Sequence, residues 1–180
     1  VTKYFVMLVI AVVIIICCSG IRIVGSGNQA VVLRFGKVVG DTIEEQVHNS
    51  GLLFAFPYII DEVIIVPTSN VFEKTVTTHY SGENTGTTSS SGYLMTGDRN
   101  IATISASVKY VVSNPVEYAL SVKDIESLIN ASVSNAMVNV AAGMGVDSIL
   151  TDGKDTFATS VLDFANKKLS DVGAGVKINT

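Results

Sequence analysis

Residues able to do chemistry are few in this chain and poorly spaced for it. The two histidines, His48 and His79, fall in segments that read as loops, and no HxxxH, HExxH or CxxC arrangement is present. Those are the spacings at which neighbouring side chains converge on one metal ion. Cys17 and Cys18 are adjacent; neighbours on a helix point about 100° apart, so they neither close an easy disulfide nor share a metal. They read as apolar helix residues. Gly25-Ser26-Gly27 precedes a strand instead of following one, which leaves no glycine-rich loop placed to cradle a phosphate. Asp98 stands in the turn Thr96-Gly97-Asp98-Arg99-Asn100, where a lone Asp ordinarily hydrogen-bonds its own backbone. Glu44-Glu45 and Asp61-Glu62 are consecutive and read as solvated charge. No nucleophile is paired with a base. The sequence therefore offers no catalytic, cofactor-binding or metal-binding residue, and the chain reads as a non-enzyme that needs no cofactor.

Charge narrows the partners further. Twelve basic against sixteen acidic residues give a net charge of -4 over 180 residues, and no basic stripe is present to neutralise phosphates, which argues against nucleic acid as a partner. The charged fraction is only 16%, below the roughly 25% of ordinary soluble domains. Part of that deficit is local: between Lys3 and Arg22 nothing is charged. Tyr4 to Ile21 is apolar on every helical face, and eighteen residues at about 1.5 Å each cover roughly 27 Å, close to the hydrocarbon thickness of a bilayer. This run reads as a retained single-pass anchor over residues 1–23. It is long for a signal peptide, and no small-x-small cleavage site precedes a clear mature start.

Beyond the anchor, residues 24–112 read as β-rich and 113–180 as helical, an α+β order with strands first. Asn28–Phe35 is expected to be a buried strand, Gly36-Lys37 a turn into Val38-Val39, and Asp41–Ser50 a polar loop. Glu62–Val66 and Val71–Thr78 read as strands. His79–Gly92 is rich in Ser, Thr and Gly and has little to bury, so it reads as a flexible loop. From Ala102 to Val112 even positions are apolar and odd ones up to Lys109 polar, the period of a half-exposed strand. Asn114-Pro115-Val116-Glu117 opens a helix with a cap, a first-turn proline and an acid. Asp124 caps a second helix, expected to bury Ile125, Leu128, Ile129, Ala136, Met137 and Val140. Val146–Leu150 reads as a short turn. Thr151 opens a third helix, with Phe157, Val161, Phe164, Ala165 and Leu169 on one side, and Val176–Asn179 a last strand.

Two segments carry interaction content instead of chemistry. Leu52–Ile60 (LLFAFPYII) is dense in apolar and aromatic side chains. Besides a core strand and turn, it reads as a membrane-interface edge through Leu52, Leu53, Phe54, Phe56, Pro57 and Tyr58, since aromatics favour that zone. The second helix carries no charge for sixteen residues after Glu126. A freely solvated face usually carries Lys and Glu, which protein interfaces lack. Asn130, Ser134 and Asn139 are therefore expected to meet a neighbouring subunit.

Taken in order, several segments resemble one family. They are the apolar N-terminal run; Gln29-Ala30-Val31-Val32-Leu33-Arg34-Phe35-Gly36-Lys37-Val38; Gly51-Leu52 with Phe54, Phe56 and Pro57; Leu94-Met95-Thr96-Gly97-Asp98 with Asn100-Ile101; Tyr110 with Asn114-Pro115 and Tyr118; and Ile149-Leu150-Thr151-Asp152-Gly153-Lys154. The chain resembles the SPFH, or band 7, family of stomatins, prohibitins, flotillins and the bacterial HflK and HflC proteins, and its HflK branch most. It departs from the family at Ser50, where proline is usual, and at Leu53 and Ala55, where a basic residue or histidine is often found. The resemblance implies a membrane-anchored scaffold that forms a large cage with an HflC-like paralogue and regulates the membrane-bound AAA+ protease FtsH. It implies a bacterial inner-membrane location with the folded part on the periplasmic side, and a long coiled-coil region beyond residue 180. The alternatives are a stomatin- or prohibitin-like organiser of membrane microdomains and a membrane-tethered hydrolase. The hydrolase would need the nucleophile–base pair that the sequence lacks.

Overall fold

The computed structural model describes residues 20–56, 60–77, 93–121 and 124–179, together with residues 3, 4 and 7. Most of the apolar run 4–21 lies outside the described residues, as do Pro57, Tyr58 and the segment His79–Gly92. Among the described residues no helix is long and apolar enough to cross a membrane. The chain divides into two compact units, one formed by residues 1–70 with 114–120 and the other by 71–113 with 121–180.

The first unit is organised by its second strand. It contains β1 (Ile21–Val24), β2 (Asn28–Arg34), β3 (Lys37–Val38), helix α1 (Ile43–Gln46), β4 (Val47–His48), β5 (Gly51–Phe54) and β6 (Asp61–Pro67). Ala30, Val31, Val32 and Leu33 are all buried, which explains why this strand is apolar at consecutive positions instead of alternating. It pairs antiparallel with β6 from Asn28↔Pro67 to Arg34↔Asp61. Its other edge pairs with β4 at Ala30↔His48 and Val31↔Val47, and with β3 at Leu33↔Val38 and Arg34↔Lys37. His48 thus lies in a short strand, and the expected polar loop 41–50 holds both α1 and β4. Separately, β1 and β5 form an antiparallel ribbon from Ile21↔Phe54 to Val24↔Gly51. This corrects the reading of Ile21 as the last residue of a helical run: the ribbon begins there, tied back by the Ala55 N–H to the Gly20 carbonyl at 2.9 Å. Val24, Ala30, Val32 and Leu53 form its core, with Val39 and Val63 packed against them. Asn114 opens helix α2 (Pro115–Ser121), its carboxamide oxygen accepting from the Val116 N–H at 3.1 Å.

The second unit sets helices against a three-stranded sheet. The order is β11 (Val176–Ile178), β10 (Ser105–Val112), β7 (Phe72–Thr77), and β8 (Leu94–Met95) with β9 (Ile101–Ala102) forms a separate small pair. The period of two appears as expected: Val108, Tyr110 and Val112 are buried, while Ser105, Ser107 and Lys109 are exposed. Three helices follow, α3 (Ile125–Ala141), α4 (Val146–Leu150) and α5 (Lys154–Asp171). Asp124 caps α3 by accepting from the Ser127 N–H at 3.0 Å. Helix α3 buries Ile129, Val133 and Met137, α5 buries Phe157, Val161, Ala165 and Leu169, and the two helices pack together. Asn166 fastens the sheet to α5 by bonding both backbone groups of Ile178, at 2.9 and 2.8 Å.

Three local readings change. Val146–Leu150 is a helical turn and a half instead of a bare turn. Gly153, not Thr151, occupies the cap position of α5. In α3, Ser132 is buried among the core positions, while Leu128 and Val140 are half-buried.

Candidate interaction surfaces

The aromatic segment after β5 is held by a charge pair joining residues far apart in sequence. The antiparallel register places Arg34 opposite Asp61. Arg34 donates through Nε to Asp61 Oδ1 at 2.8 Å and through Nη2 to Oδ2 at 3.0 Å. The Phe56 backbone N–H donates to the same Oδ2 at 2.9 Å. The guanidinium carbon also lies 4.8 Å from the centroid of the Phe56 ring, within range of a cation–π contact. Asp61 is buried and Arg34 partly exposed. The two Arg34 hydrogen bonds, helped by the Phe56 N–H and opposed by burial, hold the Asp61 carboxyl below its ordinary range. Asp61 is therefore not the solvated charge that its place beside Glu62 suggests; it fixes where Phe56 stands.

The β1–β5 ribbon carries apolar side chains on both faces, with the exposed Arg22, opposite Leu53, as its one charge. Residues opposite each other in an antiparallel pair share a face, and successive residues alternate. Val24 and Leu53 point into the core at 3% and 7% exposure. On the other face Ile21, opposite Phe54, and Ile23, opposite Leu52, are 47%, 76%, 76% and 62% exposed respectively. Phe56 is likewise exposed. Of the residues the sequence assigned to a membrane edge, Leu52, Phe54 and Phe56 face outward. Leu53 faces inward because one residue of offset in a strand reverses the side chain, so it is a core residue and not a surface one. Pro57 and Tyr58 lie outside the described residues. Ile21 and Ile23 were missed, although the alternation of Ile-Arg-Ile-Val carried the signal.

The uncharged face of α3 is exposed but differently centred than expected. Asn130 and Asn139 are exposed and Ser134 is half-buried. Nine residues at about 100° each put Asn130 and Asn139 roughly half a turn apart, so the three do not share one face. The middle of the exposed stripe runs through Ser127, Ala131, Ser134, Asn135 and Val138. Asn139 lies at one margin, where its Nδ2 is engaged within the helix by the Asn135 carbonyl at 2.8 Å. At the start of the helix Glu126 pairs with Lys74 of β7.

The turn around Asp98 is a clamp between helices. Asp98 accepts hydrogen bonds from the Thr96 hydroxyl, from Asn100 Nδ2 at 2.8 Å and from the backbone N–H of Val146, the first residue of α4, at 3.1 Å. Led by the Thr96 bond, these hold its carboxyl below the ordinary range. The Gly97 N–H lies 2.8 Å from the Met144 carbonyl, and a β-carbon at Gly97 would stand 2.9 Å from the Ala142 carbonyl oxygen. The turn thus joins the end of α3 to the start of α4. Asp98 reaches well beyond its own backbone, and its partners are those of a structural anchor. Among the described residues no group of three or more His, Cys, Asp or Glu is gathered to hold a metal ion.

The chain is thus a strand-first α+β chain in which Asp61 and Asp98 are engaged in hydrogen bonds that hold the fold, and in which the β1–β5 ribbon and α3 each expose an uncharged surface. Residues 22–179 match the SPFH domain / Band 7 family, and the chain belongs to it. It is 25% identical over 160 residues to Protein HflK of Vibrio cholerae, covering 89% of this chain and 35% of that protein. It is also 25% identical over 181 residues to Protein HflK of Borreliella burgdorferi, covering 98% of this chain and 56% of that protein. A third such protein, from Haemophilus influenzae, is 23% identical over 160 residues, 89% of this chain and 34% of its own length. The chain thus spans from about a third to somewhat over half the length of these relatives.

Proposed function

We propose that this chain is the membrane-proximal part of an oligomeric scaffold that assembles with an HflC-like paralogue and regulates an FtsH-type membrane protease. The relatives named HflK support the assignment to that branch. The observation that carries the membrane half of the reading is the outward face of the β1–β5 ribbon. Antiparallel ribbons with one solvated face normally place polar residues there; here Ile21, Ile23, Leu52 and Phe54 occupy it. Ile21 and Ile23 directly follow the apolar run 4–20, and Leu52 and Phe54 pair with them, which supports an anchored chain whose first unit rests on the bilayer, on the periplasmic side of a bacterial inner membrane. The assembly half rests on the uncharged stripe of α3, a surface of small polar and apolar side chains suited to repeated contact between subunits. Asn130 and Asn139 then lie at its margins and Ser134 near its centre. A scaffold without peptidase activity of its own fits the structural roles of Asp61 and Asp98.

Reconstitution tests this reading. The full-length protein, its paralogue and the protease in proteoliposomes should alter the rate at which the protease degrades a membrane substrate, while the scaffold alone cleaves nothing. An unchanged rate with all three present would contradict it. A stomatin-like organiser of membrane microdomains shares the same bilayer contact and would leave the protease unaffected.

A further inference from the structure

We infer that the hairpin tip at Phe35 is a second point of bilayer contact for the first unit, an inference that rests on the membrane contact proposed for the β1–β5 ribbon. Phe35 joins β2 to β3 and is 78% exposed. Its φ is 50° and that of Gly36 is 79°. Two-residue hairpins with both angles positive favour Asn-Gly, because a bulky side chain is strained there. A phenylalanine in this conformation, with most of its ring in water, gains little from its own chain. The hairpin pairing holds the backbone, and what would bury the ring lies outside the chain.

The position of the tip says what that is. The Phe35 N–H bonds the Ile60 carbonyl at 3.0 Å, and Arg34, its neighbour, is bound to Asp61 and lies against the Phe56 ring. The register of β2 with β6, and the turn by which β1 leads back into β2, put the tip at the end of the unit that holds Ile21, Phe54 and Phe56. Gly20, the residue before β1, lies at that end too, bonded to Ala55. Arg34 and Lys37 flank the ring in sequence. Arg34 is paired with Asp61, Glu62 lies along the strand opposite Leu33, and Lys37 is exposed. An exposed aromatic with an exposed lysine two residues on suits the headgroup zone, where the ring enters the boundary and the ammonium meets phosphates.

The chain contains no tryptophan, which makes the test direct. Phe35→Trp and, separately, Phe54→Trp are introduced into the full chain and reconstituted in phosphatidylethanolamine–phosphatidylglycerol vesicles, with and without brominated acyl chains. Phe35→Trp is expected to emit at shorter wavelength than a water-exposed indole and to lose most of its emission in brominated vesicles, as is Phe54→Trp. Quenching at residue 54 with water-like emission at residue 35 overturns the inference and leaves the ribbon contact standing. A blue-shifted but unquenched residue 35 means that protein covers the tip, and also overturns it. If neither is quenched, the ribbon contact and the hairpin contact fall together. If only residue 35 is quenched, the ribbon contact falls and with it the inference of a second contact beside it. Should Phe35→Trp fail to fold by circular dichroism, Lys37→Trp, at ordinary backbone angles beside the tip, gives the same readout.

Discussion

Ile23 lies directly opposite Leu52 across the β1–β5 ribbon, and both side chains face outward. Replacing them changes the surface and spares the core, which lies on the other face with Val24 and Leu53. In a chain lacking residues 4–19, weak residual binding to vesicles is expected. Leu52→Ser with Phe54→Ser should reduce that binding about tenfold or more, since burying one large apolar side chain is worth roughly 1.5–3 kcal/mol. The melting temperature should hardly move. Unchanged flotation with lipid would show that the face does not meet the bilayer.

The Arg34–Asp61 pair sets an acid limit on stability. The carboxyl is held below its usual range in the folded state, against about 3.9 when unfolded. Above that unfolded value both states are ionised and the stabilisation is complete. As the pH falls below it the unfolded chain takes the proton first, and stability is lost progressively down through the folded value. Asp98 and Asp124 shift the same way. Asp61→Asn should lower stability at neutral pH and flatten this acid limb in denaturant titrations. Arg34→Ala should also destabilise, because it strands a buried carboxylate. An unaltered acid limb in Asp61→Asn would assign it to the other carboxylates.

Gly97 is where the clamp between α3 and α4 is tightest. Gly97→Ala forces a β-carbon onto the Ala142 carbonyl oxygen, and overpacking of this kind costs about 1–3 kcal/mol. Chemical denaturation of the variant should show a lower midpoint with a similar slope. A midpoint equal to the wild type would mean that the turn gives way at no cost.

Elements that were legible in the sequence are those whose signal is local. The alternation of β10, the Asn114 and Asp124 caps and the core spacing of α3 all act within a few residues. What was hidden depends on register. Arg34 meets Asp61 only because β2 and β6 pair as they do, and nothing near Asp61 announces it. Ile21 reads as the end of the apolar run because the alternation of Ile-Arg-Ile-Val, though present, spans only four residues and abuts it. Leu53 was assigned outward with its neighbours because a continuous apolar run does not say which residues alternate inward. Asn130 and Asn139 were grouped by composition, which ignores the rotation of the helix between them.

The exposed stripe of α3 should matter to the assembly and not to the fold. Ser134→Glu or Val138→Glu introduces a charge at every copy of the contact, and a helix accepts Glu readily. A buried unpaired charge costs several kcal/mol. Circular dichroism should be unchanged, while size-exclusion chromatography of the full-length complex should show smaller particles. Asn139→Glu, at the margin, should have a weaker effect. Full-size particles from both central variants would make the stripe a solvated surface.

The mass and subunit composition of the native full-length complex, taken gently from the membrane and viewed by electron microscopy, bear most directly on the scaffold assignment. A large closed assembly containing many copies of this chain and of an HflC-like paralogue, with an FtsH-type protease associated, is the expected result. Monomers or small oligomers free of both paralogue and protease would contradict it.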